Sequence, residues 1–417
     1  MIRFLVHLIG RIFPGVLICV STHFESFALM NSSKNKKNLL IEGWRGVNHS
    51  FALVNQCQIL ELLKFEDLNL FHRDLPFAMA HWTVKALDAG FSEADRQRID
   101  ALSEPSGQKI DCVYRAVSPF GGDLSRKTLT FMVTELGLSA SSFGPEYQSP
   151  DAFTRDDNLV VTPTHWAKAR LVEYGFDEAK VRVIPHGVNA ATFYPLTAEE
   201  RTLNRSNLGL LADDIVFLNL GVATWNKGID VLLIAFATLR ARYRNLRLIL
   251  KDQRGLYGIS VEQVMADVAG RHPSLFGTDT LAAIQVVPVN LSQEQLRLLY
   301  GIADCYVSPY RAEGFNLPVL EAIACGTPVV VTDGGATDDF CTAEVGLRVA
   351  STPGSRDDRK DNCVARFCEP QPEALVDAME RFVTGTPLDP EIFARGRRAV
   401  VDKMTWQRAA QSLHDLI

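Results

Sequence analysis

The sequence lacks a C-x-x-C pair. Its eight cysteines, Cys19, Cys57, Cys112, Cys305, Cys325, Cys341, Cys363 and Cys368, are scattered and mostly set in apolar stretches. That distribution fits buried thiols in a reducing compartment and argues against a disulfide scaffold or a zinc site. The Cys363/Cys368 spacing is weak evidence for a metal, with no His-rich partner nearby. The chain also lacks a basic half: residues 1–200 carry 20 basic and 23 acidic side chains, and the remainder 23 and 26. A protein held to nucleic acid by phosphate neutralisation needs a concentrated positive face, so nucleic-acid binding is not expected. No G-x-G-x-x-G opens a helix after the first strand, where GWRGVNHS stands instead, and a nicotinamide dehydrogenase is set aside on that ground.

A clean apolar run of the ~18–20 residues needed to span a bilayer is missing as well. The start, MIRFLVHLIGRIFPGVLICVSTHF, comes nearest but is broken by His7, Arg11 and Pro14. We read residues 1–37 as an extension and linker closed by the polar NSSKNKKN, with an imperfect signal peptide or membrane-surface segment as the alternative. The expectation is a cytoplasmic protein, with peripheral membrane contact through that start left open. What is present is ordinary for a globular enzyme: 47% hydrophobic and 22% charged residues, 28 Gly and 19 Pro, in 417 residues. At ~100–200 residues per domain, this length makes two or three domains.

After residue 37 the pattern is strand, loop, helix, repeated. Short apolar runs at Asn38–Glu42, Asn69–Phe71, Asp111–Tyr114, Leu129–Thr134 and Leu159–Thr162 read as strands of a mostly parallel sheet, with a helix over the apolar-periodic stretch Phe51–Leu63. The second half repeats this with strands at Ile215–Leu220, Leu246–Leu250, Ile284–Val289, Cys305–Ser308 and Pro328–Thr332, and helices at Gly228–Leu239, Glu294–Ile302 and Pro318–Ala324. The fold class is therefore α/β, two Rossmann-like domains with parallel sheets facing across a cleft. The first spans 38–197 and the second 198–417, joined near PLTAEER. Ligands of such sheets gather beyond the carboxyl ends of the strands.

Two stretches carry chemistry. In EGFNLPVLEAIACGTPVVVTDGG, Glu313 and Glu321 have seven residues between them, and Gly314–Leu317 lead into a helix that Pro318 can open because its missing N–H is not needed there. The free amides of that helix start can receive an anion, and Glu321, one turn in, can accept hydrogen bonds from a vicinal diol seated on it. The plain alternative is an acid stabilising its own helix. In GVATWNKGIDVLLIAF, Lys227 stands at a helix start, where the macrodipole disfavours a cation by ~0.3–1 kcal/mol. A diphosphate to be bound would account for it; so would a lysine merely exposed to solvent. His186, in IPHGVN, reads as a satisfied turn histidine in preference to a catalytic one.

These residues carry a resemblance. VIPHGVNAATFYP, LGVATWNKGIDVLLIAF and EGFNLPVLEAIACGTPVVVTDGG, in that order and with MTWQRAA near the end, are similar to retaining glycosyltransferases of family four, which have the GT-B fold. The resemblance covers roughly residues 159–410; over 38–158 it rests on the alternating α/β pattern. It implies a nucleotide-diphosphate sugar as donor and a glycan, lipid or protein hydroxyl as acceptor, with the anomeric configuration retained. It further implies that Glu321 holds the nucleotide ribose and that Glu313, with Gly314, Phe315, Asn316 and Leu317, faces the donor sugar and phosphates. Lys227 would neutralise the diphosphate, and Val287 and Val289 would frame the base. Gly334 and Gly335, and Gly46, Asn48 and His49 on the acceptor side, would line the cleft. The last helix would cross back to the first domain. With no D-x-D at a strand end and a lysine plus helix dipole for the diphosphate, no metal and no other cofactor are expected. Two positions depart from the family pattern. Val222 stands where an arginine is common, leaving phosphate charge to Lys251 or Arg311; Glu135 stands where many members have a histidine, and would stabilise a developing oxocarbenium or bind a sugar hydroxyl. These departures keep alive a nucleotide-sugar-binding relative without turnover; a sugar-nucleotide epimerase on the same scaffold is the other alternative.

Overall fold

The computed structural model describes residues 36–84, 90–145, 149–358, 363–385 and 388–417; the extension read at 1–37 lies almost wholly outside the described residues. Apolar runs with few interruptions become the central strands, such as Cys112–Ala116, Thr128–Phe131, Cys305–Ser308 and Val329–Thr332, which are buried on both faces as parallel sheets require. Strands β1 (Lys37–Gly43), β2 (Leu68–Asp74), β3 (Cys112–Ala116), β4 (Thr128–Phe131), β5 (Leu159–Thr162) and β6 (Val181–Val183) form one parallel sheet in the order β2-β1-β3-β4-β5-β6. A second comprises β7 (Ile215–Gly221), β8 (Leu246–Asp252), β9 (Ile284–Val287), β10 (Cys305–Ser308), β11 (Val329–Thr332) and β12 (Gly346–Val349) in the order β12-β11-β10-β7-β8-β9. In each sheet the order reverses once, between β1 and β3 and between β7 and β10. Crevices for ligands form at the carboxyl ends of strands flanking such reversals.

Three differences from the sequence reading have physical causes. The strand expected over Leu129–Thr134 stops at Phe131, because the Thr134 hydroxyl both donates to Gly137 O (2.6 Å) and accepts from its N–H (2.9 Å), turning the chain. The strand expected to reach Val289 stops at Val287, because Pro288 has no N–H to give to the sheet. Ile184 packs in the first domain's core, whereas Val188 and Phe193 already pack in the second's, so the chain changes cores ahead of PLTAEER.

The helix Trp406–His414 returns to the first domain. Trp406, Ala409, Ala410 and Leu413 join its core beside the helix Ser50–Leu62, and Lys127 Nζ donates to the backbone oxygen of Ile417 at 3.0 Å. The crossing depends on Gly187, where an added Cβ would lie 2.0 Å from Trp406 N. An antiparallel hairpin, β13 (Ser351–Asp358) with β14 (Cys363–Pro370), follows the second sheet. Through β14 the Arg366 N–H reaches Leu136 O (2.7 Å), and its guanidinium pairs with Glu173. Among the described residues, no helix is long and apolar enough to cross a membrane.

Candidate active site between the two sheets

A cleft of about 680 Å³ lies between the domains, and its walls are built from the segments that follow the carboxyl ends of β1, β4, β7, β8 and β10. Lys227 ends a single turn, Trp225–Lys227, after β7. Its Nζ sits 2.6 Å from Glu135 Oε1 and 2.9 Å from Glu313 Oε2, so one cation bridges a carboxylate from each domain. Asn226 Nδ2 donates to the other Glu135 oxygen at 2.7 Å. Burial alone would lower the Lys227 pKa, but the two carboxylates more than offset it and hold the ammonium well above the ordinary lysine value.

Lys227 meets Glu313 because their backbones are stitched together. The Arg311 and Ala312 N–H groups donate to Asn226 O at 2.7 and 3.2 Å, and Asn226 Nδ2 donates back to Ala312 O at 3.1 Å. Glu313 follows next in the chain, buried to 9% exposure. Burial pushes its carboxyl up to about 7; Lys227 opposes the rise and Glu135 adds to it. Asn316, in the left-handed region (φ 74°), caps the helix Leu317–Ala324, with Pro318 at its second position. Its Nδ2 donates to Ser308 Oγ at 3.0 Å. Gly314 O accepts from Thr164 Oγ1 (2.9 Å), and Phe315 stacks on Phe340 at 5.0 Å. One turn into the helix, Glu321 accepts from the Tyr300 hydroxyl at 2.7 Å; burial raises its carboxyl to about 7 against that bond.

Glu135, Lys227, Lys251, Glu313–Leu317 and Glu321, with Asn48 and His49, all line this cleft. The Lys251 ammonium is held by Asp252 O (2.7 Å) and Gln253 Oε1 (3.0 Å), and burial lowers its pKa to about 8. Since a lysine only donates, the Gln253 atom it meets is the oxygen, and the amide nitrogen is left for the cleft.

Several residues expected at the site lie outside the lining of this cleft. Gly334 lies beside Cys368, and Gly335 lies against the Tyr310 ring, so neither lines the cleft. Gly46 faces Val84, and Val289 is a surface residue at 36% exposure beyond the end of β9. Val287 is likewise outside the lining. Arg311 is spent elsewhere: it pairs bidentately with Asp230 (2.8 and 2.9 Å), with Glu369 (2.7 Å) and with Trp225 O (2.8 Å), bracing the Lys227 turn from outside the cleft. Val222, in the place of the family's arginine, lines the cleft. His186 lines it too, packed between Phe131, Phe315 and Trp406; burial holds it neutral, with its pKa down to about 3.

Sequence reasoning missed Asn226, Gln253, Tyr300 and Tyr257. Tyr257 lies in the glycine-flanked RGLYGIS, which has no helical or strand period to mark it. Its hydroxyl is 2.9 Å from His49 Nε2, across the cleft. Among the described residues, no group of three His, Cys, Asp or Glu side chains is placed to hold a metal ion.

Comparison with known proteins accords with this architecture. Residues 200–397 match the family described as glycosyl transferases group 1. The D-inositol 3-phosphate glycosyltransferase of Segniliparus rotundus is 32% identical over 181 residues, 43% of this chain and 38% of that one. Mannosylfructose-phosphate synthase of Agrobacterium fabrum is 29% identical over 176 residues, 42% and 37% respectively. The chain thus spans about two fifths of the length of these curated relatives. Among solved structures, a glycosyltransferase from Rickettsia africae superposes with a TM-score of 0.66 at 17% identity, covering 92% of this chain and 98% of that one. Anabaena Alr3699/HepE in complex with UDP-glucose gives 0.63 at 14%, covering 91% and 98%. These two likenesses show the fold, GT-B. Residues 200–397, in the second domain, are similar to the glycosyl transferases group 1.

Proposed function

We propose that the protein transfers a sugar from a nucleotide-diphosphate donor to an acceptor hydroxyl, with retention at the anomeric carbon. The observation that carries this reading is the convergence of Lys227, Glu313 and the start of the Leu317–Ala324 helix in one cleft, with Glu321 a turn behind. A diphosphate laid on that helix start meets free backbone N–H groups and the Lys227 ammonium, both aimed where negative charge grows as the sugar–phosphate bond breaks. Glu321, one turn into the same helix, is the acceptor for the ribose diol in this scheme. No metal ion is invoked in this scheme, and the nucleotide sugar is a substrate.

The test is a panel of UDP-, GDP- and ADP-sugars, scored for slow donor hydrolysis and for transfer. UDP-sugars come first, because the Anabaena neighbour was solved with UDP-glucose. Glu321→Ala removes the diol's acceptor and is expected to weaken donor binding about tenfold or more, the worth of a hydrogen bond to a charged group. Unchanged affinity by calorimetry would remove Glu321 from the donor site. A second reading, donor binding without turnover, draws on Val222 and on the hold of Glu135 over Lys227; thermal-shift gains with neither hydrolysis nor transfer would select it.

Glu135 has a particular expected behaviour. Its carboxylate takes the place on Lys227 that a phosphate would need. Donor binding must displace it, which frees it to face the sugar. Glu135→Gln, lacking the charge, is therefore expected to tighten donor binding about tenfold while lowering kcat. Weaker donor binding in Glu135→Gln would refute the displacement.

A further inference from the structure

The wall opposite the donor side is neutral and mostly apolar. Phe51, Leu53, Val54, Phe131 and Val133 supply it from the first domain. Among the described residues lining the cleft, the two with an amine head are Lys227 and Lys251, both on the second domain, and Lys227 is already claimed by two carboxylates. The charged group that the first domain contributes is Glu135. The start of the Ser50–Leu62 helix points into this region, and one of its first N–H groups, that of Phe51, donates to His49 Nδ1 at 3.2 Å.

That bond fixes the imidazole. Because Nδ1 accepts, the ring proton sits on Nε2, which donates to the Tyr257 hydroxyl at 2.9 Å. Burial lowers the His49 pKa to about 4, so the ring stays neutral near pH 7. Trp82 (ring centroids 4.9 Å) and Trp44 (5.2 Å) hold its plane. Trp82 Nε1 meanwhile donates to Leu256 O at 2.8 Å, anchoring the turn that carries Tyr257. The Tyr257 oxygen thus receives one proton, and its own is left to donate. Tyr257 is 43% exposed.

Building on the transferase reading above, we propose that the acceptor is an uncharged hydroxyl compound, and that Tyr257, oriented by His49, hydrogen-bonds it. A phosphorylated acceptor would have to bury its charge against five apolar side chains and approach Glu135 without a cation of its own. An uncharged glycoside lays its apolar face on that wall and its hydroxyl on Tyr257. Tyr257 is a binding residue in this scheme, and His49 a positioning residue acting through it.

The experiment uses the full chain with whichever donor the panel shows it to hydrolyse. Acceptors are free sugars, inositol and alkyl or aryl glycosides, each paired with its phosphate ester. Transfer to the uncharged member is expected to exceed transfer to its ester by about tenfold or more in kcat/KM. Tyr257→Phe should raise the acceptor KM about fivefold with little change in donor Kd by calorimetry, the worth of one neutral hydrogen bond. His49→Ala should give the same KM effect, and His49→Gln, which can still accept and donate, should recover part of it. Preference for the esters, use of neither class despite donor hydrolysis, or an unchanged acceptor KM in Tyr257→Phe overturns this inference and leaves the transferase reading standing. Absence of donor hydrolysis and transfer in the unmodified protein defeats both.

Discussion

Lys227→Ala is expected to lower kcat/KM for donor turnover by about 10²–10³, the usual cost of removing one preorganised group that meets transition-state charge. The lysine is the positive side chain that two backbones are stitched together to present; Val222 supplies no charge, Arg311 is turned away, and the Lys251 ammonium is held by Asp252 O and Gln253 Oε1. The substitution also leaves Glu135 and Glu313 facing each other. Glu135 is 43% exposed at its side chain and can turn to water, but Glu313, at 11%, cannot. Breaking a buried pair costs about 3–5 kcal/mol, and Glu313 will sidestep part of that by protonating. The pH dependence follows. Lys227 lowers the Glu313 pKa in the native protein, so without it the value climbs further above about 7. A carboxyl raised in the folded state lends stability that is present at low pH and lost as pH rises through the folded pKa. The variant should therefore lose more stability relative to the parent at pH 8 than at pH 6. Urea titrations at both pH values measure this; equal losses would mean that Glu313 does not depend on Lys227.

Much of this site was legible because its residues lie on strand ends and helix starts with strong local signals. Cys305–Ser308 and Leu159–Thr162 are strands with the expected bounds, since each is a short apolar run between turn residues. Glu313 and Glu321 straddle a helix start marked by Asn316 and Pro318, and Lys227 precedes an amphipathic helix. What stayed hidden depends on contacts between distant segments. STPGSRDD has the composition of a loop, yet it pairs with Cys363–Pro370, whose far side is bonded to the Glu135 segment. Arg311 sits beside the motif in sequence, and only the Asp230 and Glu369 carboxylates, far away in the chain, decide that it points out of the cleft. Gly334 and Gly335, expected to line the cleft, serve other ends: Gly334 a left-handed turn (φ 90°) and Gly335 a close approach to the Tyr310 ring.

Gly228→Ala should be among the most damaging single-methyl changes in the second domain. Gly228 adopts φ 68° to turn the chain from Lys227 into the helix Ile229–Arg240. A Cβ there would lie 1.9 Å from Pro309 O and 2.9 Å from Pro309 C, and both are backbone atoms just beyond β10. The left-handed conformation costs an alanine about 1–2 kcal/mol, and the overlap adds about 1–3 kcal/mol as the two segments separate. Their separation is what matters for function, since the Asn226–Arg311 and Asn226–Ala312 bonds that register Lys227 against Glu313 span the same gap. Donor binding should therefore fall even in the fraction that remains folded. Gly209→Ala is the control: it has φ 72° with nothing within 4 Å of the added Cβ, and isolates the backbone strain. Urea midpoints and donor calorimetry on both variants test the argument. If Gly228→Ala were no less stable than Gly209→Ala and bound donor normally, the close packing of the Lys227 turn on Pro309 could not be what positions the lysine.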